Sequence, residues 1–158
     1  MAGSGEFEVK REATMAASRA SVYALIADFH RWREWSPWED VDPALQRTYS
    51  GPDAGTGAVY EWAGNRKAGA GRMEITDAVE PSKVQIALQF LKPFKSSSTS
   101  TFVLVERDGA TQVTWRMVGP KTAMTRIMGI FTSMDKVVGK DFEKGLARLR
   151  DAATGQDA

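Results

Sequence analysis

The sequence predicts an α+β protein: a curved, seven-stranded antiparallel sheet wrapped around one long C-terminal helix, with two short helices after the first strand. Three observations carry that prediction. Between residues 46 and 119, run after run alternates apolar and polar side chains, the signature of a sheet that is dry on one face and wet on the other. From about residue 122 the apolar positions step instead by three and four, the spacing of one helix face. The length is 158 residues, with 42% hydrophobic and 26% charged, which suits a single globular domain.

Residues 7–16 read as the first strand, with Phe7 and Val9 on one parity and Lys10 and Glu12 on the other. Ser18 stands where an N-cap belongs, ahead of Val22, Leu25, Ile26 and Phe29 at helical spacing. A second short helix is expected over His30 to Trp35, and Pro37 ends it because the residue before a proline avoids the helical region. Turn signals then separate the strands: Gly51-Pro52-Asp53, Gly55-Thr56-Gly57, Gly64-Asn65, Pro81-Ser82 and Asp108-Gly109. In Lys83 to Leu91, Val84, Ile86, Leu88 and Phe90 share one face against Lys83, Gln85 and Gln89. Val113, Trp115 and Met117 oppose Gln112, Thr114 and Arg116, and Met73 and Ile75 oppose Arg72, Glu74 and Thr76. The run Ser96 to Ser100 is read as the opening of a strand, and the parity between Lys95 and Arg107 is left open, because a bulge there would reverse it. The final helix, expected over about 122–150, would be about 43 Å long, with Gly129 and Gly139 marking a bend or a close approach. Residues 1–6 are taken as a disordered or vector-encoded start, 7–151 as one domain and 152–158 as a frayed tail.

Composition excludes several kinds of chemistry. A formal net charge of +1 argues against nucleic acid as a partner. Without cysteine there are no disulfides, thiolate zinc sites or thiol nucleophiles, and the single His30 cannot build a multi-histidine site. No apolar run reaches the roughly 20 residues of a membrane span, and the start lacks the apolar core of a secretory signal. A cytoplasmic protein needing no metal or organic cofactor is expected, as a monomer or homodimer.

A curved sheet gripping a long helix cannot close everywhere, so a cavity is expected between sheet and C-terminal helix. The apolar parity supplies its lining: Tyr60, Trp62, Met73, Ile75, Leu88, Phe90, Phe102, Trp115 and Met117 from strands, with Met124, Met128 and Phe131 from the helix. Methionine suits such a wall because it fills irregular space. Core packing is the plainer reading of any one of these side chains; the cavity as a whole is the stronger expectation.

The predicted topology, together with Val22-Tyr23-Ala24-Leu25-Ile26-Ala27-Asp28, Trp32 and Trp35-Ser36-Pro37-Trp38-Glu39, resembles the START-like, or helix-grip, superfamily. Gly71-Arg72-Met73-Glu74-Ile75, Thr111 through Met117 and Met134 through Leu146 extend the resemblance over residues 7–151, most closely to the polyketide cyclase/dehydrase-like (SRPBCC) branch. It implies a pollen-allergen-like fold, and a scaffold shared by lipid carriers, hormone receptors, cyclases and chaperone activators, so fold alone does not select the activity.

Two functions follow as alternatives. The first is binding of a bulky hydrophobic molecule such as a lipid, quinone or polyketide-like aromatic. The second, implied by the resemblance, is a cyclase or dehydratase acting on such a ligand, which needs a shaped pocket and one or two groups for enolisation. By parity Tyr60 is the titratable side chain facing inward, which favours binding. Trp38 is placed either at the cavity mouth or in a plug of tryptophans under the sheet. Glu39, Asp40 and Asp42 lack the spacing of a calcium loop and read as solvated. Arg72 with Glu74 and Arg116 with Thr114 are expected to make cross-strand contacts on the outer face, unless a bulge turns them inward. His30 is expected to be exposed, and Lys140 with Glu143 to pair along the helix.

Overall fold

A computed structural model describes residues 6–36, 44–65, 69–92, 95–120 and 134–155. Strand β1 (Glu6–Met15) is followed by helix α1 (Arg19–Ala27) and a 3₁₀ helix (Phe29–Glu34). Strands β2 (Gln46–Ser50), β3 (Val59–Ala63), β4 (Ala70–Val79), β5 (Lys83–Lys92), β6 (Ser96–Arg107) and β7 (Ala110–Pro120) come next, then helix α2 (Met134–Thr154). All strands pair antiparallel in one seven-stranded sheet, in the order β1-β7-β6-β5-β4-β3-β2. The chain therefore meanders from β2 to β7, and β1 closes onto the far edge. Pro37 and Trp38, with Glu39, Asp40 and Asp42, lie outside the described residues, as do Met124, Met128, Gly129 and Phe131.

Helix α1 begins as the sequence predicts, with the Ser18 hydroxyl accepting from the Ser21 N–H at 3.1 Å. It stops two residues earlier than the apolar spacing suggests. Asp28 turns extended, and its Oδ1 accepts from the His30 N–H at 2.9 Å, which caps the 3₁₀ helix instead. The last carbonyls of a helix have no partners within it, and here the following segment supplies them. Trp35 Nε1 donates to the Leu25 carbonyl at 2.9 Å and Trp32 Nε1 to the Ile26 carbonyl at 2.8 Å. The Gly55 N–H donates to the Ala27 carbonyl at 3.0 Å. Both indoles are thereby fixed below the sheet, Trp35 fully buried and Trp32 2% exposed. Trp35 meets the reading of a plug.

The register sorts the concave, apolar face into rows. Arg11, Trp115, Phe102, Val84 and Ala78 stand side by side across five strands. Val9, Met117, Ser100, Ile86 and Ile75 form the next row. These rows carry the centre of the core: Trp115 stacks on Phe142 of α2 at 4.0 Å and 5°, and on Phe102 at 4.7 Å. Trp35 meets Trp115 edge-on at 5.7 Å. Strand β6 keeps uninterrupted register with both neighbours, which settles the parity that the sequence left open there. The irregularities fall in β4–β5 instead, at Thr76 and Leu91, where one strand carries an extra residue. They leave Arg72 and Glu74 on the outer face, paired with each other along β4 at 3.0 Å rather than across strands. On the same face Arg116 holds the Glu8 carboxyl below its usual range by a hydrogen bond, and the Thr114 hydroxyl donates to Glu12 at 3.2 Å.

Trp115→Ala should cost about 3–5 kcal/mol in chemical denaturation, the loss for a large aromatic in a packed core. Trp35→Phe, which keeps most of the ring but orphans the Leu25 carbonyl, should cost about 1–3 kcal/mol. Burial, assisted by the charge of Glu80, raises the Tyr23 phenol above its ordinary 10.0. The fold therefore holds this group neutral; that stability is complete below pH 10 and is lost as pH rises through the folded value. Tyr23→Phe should flatten the alkaline limb of a stability-against-pH curve.

Candidate functional site

Toward the β3–β5 end, the concave face changes character. Its next row runs Ser98, Leu88, Met73, Tyr60 and Tyr49, and the one beyond places Phe90, Gly71, Trp62 and Arg47 abreast. Leu88, Met73, Phe90 and Trp62 are only half-buried, whereas Ile75, Ile86, Phe102 and Trp115 one or two rows away are sealed. Trp62 lies across Gly71, where a Cβ would strike the indole and the Gln89 carbonyl. The glycine lets the ring lie flat on the sheet. Phe90 meets Trp62 edge-on at 5.6 Å, and Tyr60 links Trp62 at 6.2 Å to Phe29 at 5.8 Å. A continuous aromatic path thus joins the half-open rows to the sealed core.

The structure brings together Trp62, Met73, Leu88 and Phe90 of the residues singled out from sequence. Tyr60, 3% exposed, stands at their border, and Met117, 6% exposed, stands one row in. Ile75, Phe102 and Trp115 are packed into the core in the neighbouring rows of the same face. Trp38, Met124, Met128 and Phe131 lie outside the described residues.

Tyr60 is not the sole titratable group on this face. Arg11 shares the parity of Val9 and stands opposite Trp115, while Arg47 and Tyr49 stand opposite Trp62 and Tyr60. The odd numbering of Arg11 beside Val9 was the available signal, obscured because a cation is not expected next to a tryptophan core. Arg11 reaches that position because α2 has no side chain at Gly139, over which the guanidinium lies. Its Nε donates to Glu143 Oε2 at 2.8 Å and its Nη1 to the Lys10 carbonyl at 2.8 Å. Glu143 is thus engaged by Arg11 of β1 rather than by Lys140, the partner that helical spacing suggested. The glycine expected to mark a close approach does so.

His30 lies at the margin of these rows, beside Tyr49. It is exposed, with Nδ1 2.8 Å from Asp28 Oδ1 and its ring stacked on Tyr49 at 4.1 Å. It borders a cleft of 60 Å³ with Tyr49 and Asp53. Along β5–β7 an open groove of 540 Å³, mixed in character, is lined by Gln85, Ala87, Leu88, Ser98, Thr101 and Arg116. No described helix is long and apolar enough to cross a membrane.

Residues 6–154 match the family described as polyketide cyclase / dehydrase and lipid transport. Solved structures share the fold at low identity. Protein Ms6760 from Mycobacterium smegmatis is 21% identical, with 94% of this chain and 92% of that one covered at a TM-score of 0.66. Ara h 8.0201 is 15% identical, with 96% and 97% covered at 0.61. Aha1 from Colwellia psychrerythraea, solved in solution as a dimer, is 15% identical, with 96% and 99% covered at 0.63. No curated protein sequence matches the chain. The fold is that of the START-like, helix-grip superfamily, as the resemblance implied.

Gly71→Ala should lift Trp62 off the sheet at a cost of about 1–3 kcal/mol, seen as a shifted Trp62 indole resonance and a lower denaturation midpoint. Gly139→Ala gains up to about 1 kcal/mol of helix propensity but displaces Arg11. In an Arg11→Ala background the gain should appear in full, while in the wild-type background it should be smaller or reversed. A double-mutant cycle measures that coupling.

Proposed function

We propose that this chain, which belongs to the polyketide cyclase / dehydrase and lipid transport family, binds a bulky hydrophobic small molecule between the concave face of its sheet and the C-terminal helix. The observation that carries this reading is the half-covered state of Trp62, Met73, Leu88 and Phe90, set in a face whose other rows are closed. A ligand laid over them gains about 2.5 kcal/mol per 100 Å² of apolar surface removed from water, before the cost of immobilising it. The contacts assigned to it are these four residues with Met117, and the lining expected from Trp38, Met124, Met128 and Phe131 belongs to the same proposal. Tyr60 borders them in the row of Met73 and Leu88, and Ile75, Phe102 and Trp115 flank them in the neighbouring rows.

Carriage or sensing in the cytoplasm is preferred over turnover by a cyclase or dehydratase. Among the described residues, the half-open rows carry Arg47, whose guanidinium is always protonated and cannot act as a general base, and the phenols of Tyr49 and Tyr60, while His30 stacks on Tyr49 at their margin and lines the small cleft there instead of facing Trp62 and Phe90. Native mass spectrometry of protein purified gently from its own host should show an added mass that is unchanged after incubation. Conversion of that mass would favour the enzyme. Absence of any added mass, together with failure to bind an apolar fluorescent probe, would contradict the pocket. Trp62→Arg should abolish probe uptake while circular dichroism stays unchanged.

A further inference from the structure

The outer face of the sheet, away from the helix, carries a charge pattern that one copy of the chain does not use. The register sets Lys10, Arg116, Thr101, Gln85 and Asp77 side by side in one row, and Glu12, Thr114, Val103, Lys83 and Val79 in the next. Strand β6 is the middle of both rows, and its outward residues there, Thr101, Val103 and Val105, are uncharged. The flanks on either side of it carry opposite signs row by row. In the first row β1 and β7 are cationic and β4 is anionic; in the second β1 is anionic and β5 is cationic. Asp77 and Lys83 pair at 3.4 Å within the chain, whereas neither Lys10 nor Glu12 is in an ion pair among the described residues. Val103 and Val105 are 39% and 41% exposed, and Val79 is 51% exposed, on a face where a solvated sheet carries polar side chains.

We infer that this face pairs with the same face of a second copy of the chain, about a two-fold axis running along β6. An axis in that direction lays β1 of one copy over β4 of the other and β7 over β5, with the rows kept in step. Lys10 then meets the partner's Asp77, Glu12 comes within one strand spacing of the partner's Lys83, and Val103 and Val105 meet their own counterparts on the axis. Each pair forms twice, as in any isologous contact, so four ion pairs frame an apolar seam. In the row beyond, Glu8 and Glu74 face each other across the axis, each neutralised within its own copy by Arg116 and Arg72. A perpendicular axis through either row would instead set Lys10 on Lys10 or Glu12 on Glu12. The seam spans about 19 Å across five strands and about 14 Å along β6. That is small for a protein interface, so the dimer is weak and salt-sensitive. The two copies stand back to back, and both concave faces stay open.

The test is sedimentation equilibrium of the full chain at low and high salt, with two charge-reversed variants measured alone and together. Wild type should show a reversible monomer–dimer equilibrium that weakens about tenfold between about 50 mM and about 500 mM salt. Lys10→Glu and Asp77→Lys each set like charges together at both symmetry-related contacts, and each alone should weaken the dimer about tenfold or more. Mixed in equal amounts they form a heterodimer in which the two introduced charges attract, and so do the native Lys10 and Asp77 left on the opposite copies. The mixture should therefore associate about as tightly as wild type although neither component does, a recovery that a variant failing to fold could not give. Val103→Lys, on the axis, should leave the chain monomeric with its circular dichroism unchanged. A wild type that stays monomeric at every concentration, or a mixture that associates no more tightly than its components, would overturn the inference.

Discussion

The rest of the structure depends on the aromatic stack that joins Trp35, Trp115 and Phe142. Trp115 comes from the sheet, Phe142 from the C-terminal helix and Trp35 from the segment after the 3₁₀ helix. A single contact set thus ties all the layers together, and it is fixed by polar as well as apolar forces. The indole N–H groups of Trp32 and Trp35 satisfy the last carbonyls of α1, so the rings cannot slide without leaving buried acceptors unpaired. Arg148 adds a tie from α2 to the Ser36 carbonyl at 3.3 Å. Trp32, Trp35, Phe102, Trp115 and Phe142 are sealed together at one end of the concave face.

The other end is shaped by that allocation. Rows near Trp115 are filled by rings and closed, while rows near Phe90 and Trp62 present large apolar side chains that remain partly uncovered. Gly71 lets Trp62 lie down and so widens the space above the sheet, as Gly139 makes room for Arg11 at the opposite edge. Both glycines act by the side chain they lack, and in both cases a bulky neighbour takes the vacated position. The result is a rigid floor continuous with the core, a suitable base for a binding surface, because rings locked by packing hold their positions without a ligand.

Much of this was legible in the sequence because strand periodicity is a local signal. Met73 and Ile75, Val84 through Phe90, and Val113 through Met117 announce their face by alternation alone, and the topology follows from turns between them. What was not legible depends on contacts distant in sequence. Arg11 has the parity of the core, but only the glycine on α2, far along the chain, gives its guanidinium a place. Helix α1 ends at Ala27 because indoles and a loop N–H take up its carbonyls, although Phe29 prolongs the apolar spacing. Thr76 and Leu91 are bulged through pairing with a neighbouring strand, and nothing in their own runs marks them. The serines of β6 read as the opening of a strand, but only the register places Ser98 against Leu88 and Ser100 against Ile86 and Met117.

The central claim is that one end of the concave face is filled core and the other receives a ligand. The five tryptophans report on it separately, and the most direct measurement follows their indole N–H resonances as an apolar aromatic probe is titrated in. The account predicts a saturable shift of the Trp62 resonance, with Trp32 and Trp35 held in place by their hydrogen bonds to α1 and Trp115 held by Phe142. Comparable shifts at Trp35 and Trp115, or no shift at Trp62 at saturation, would contradict it.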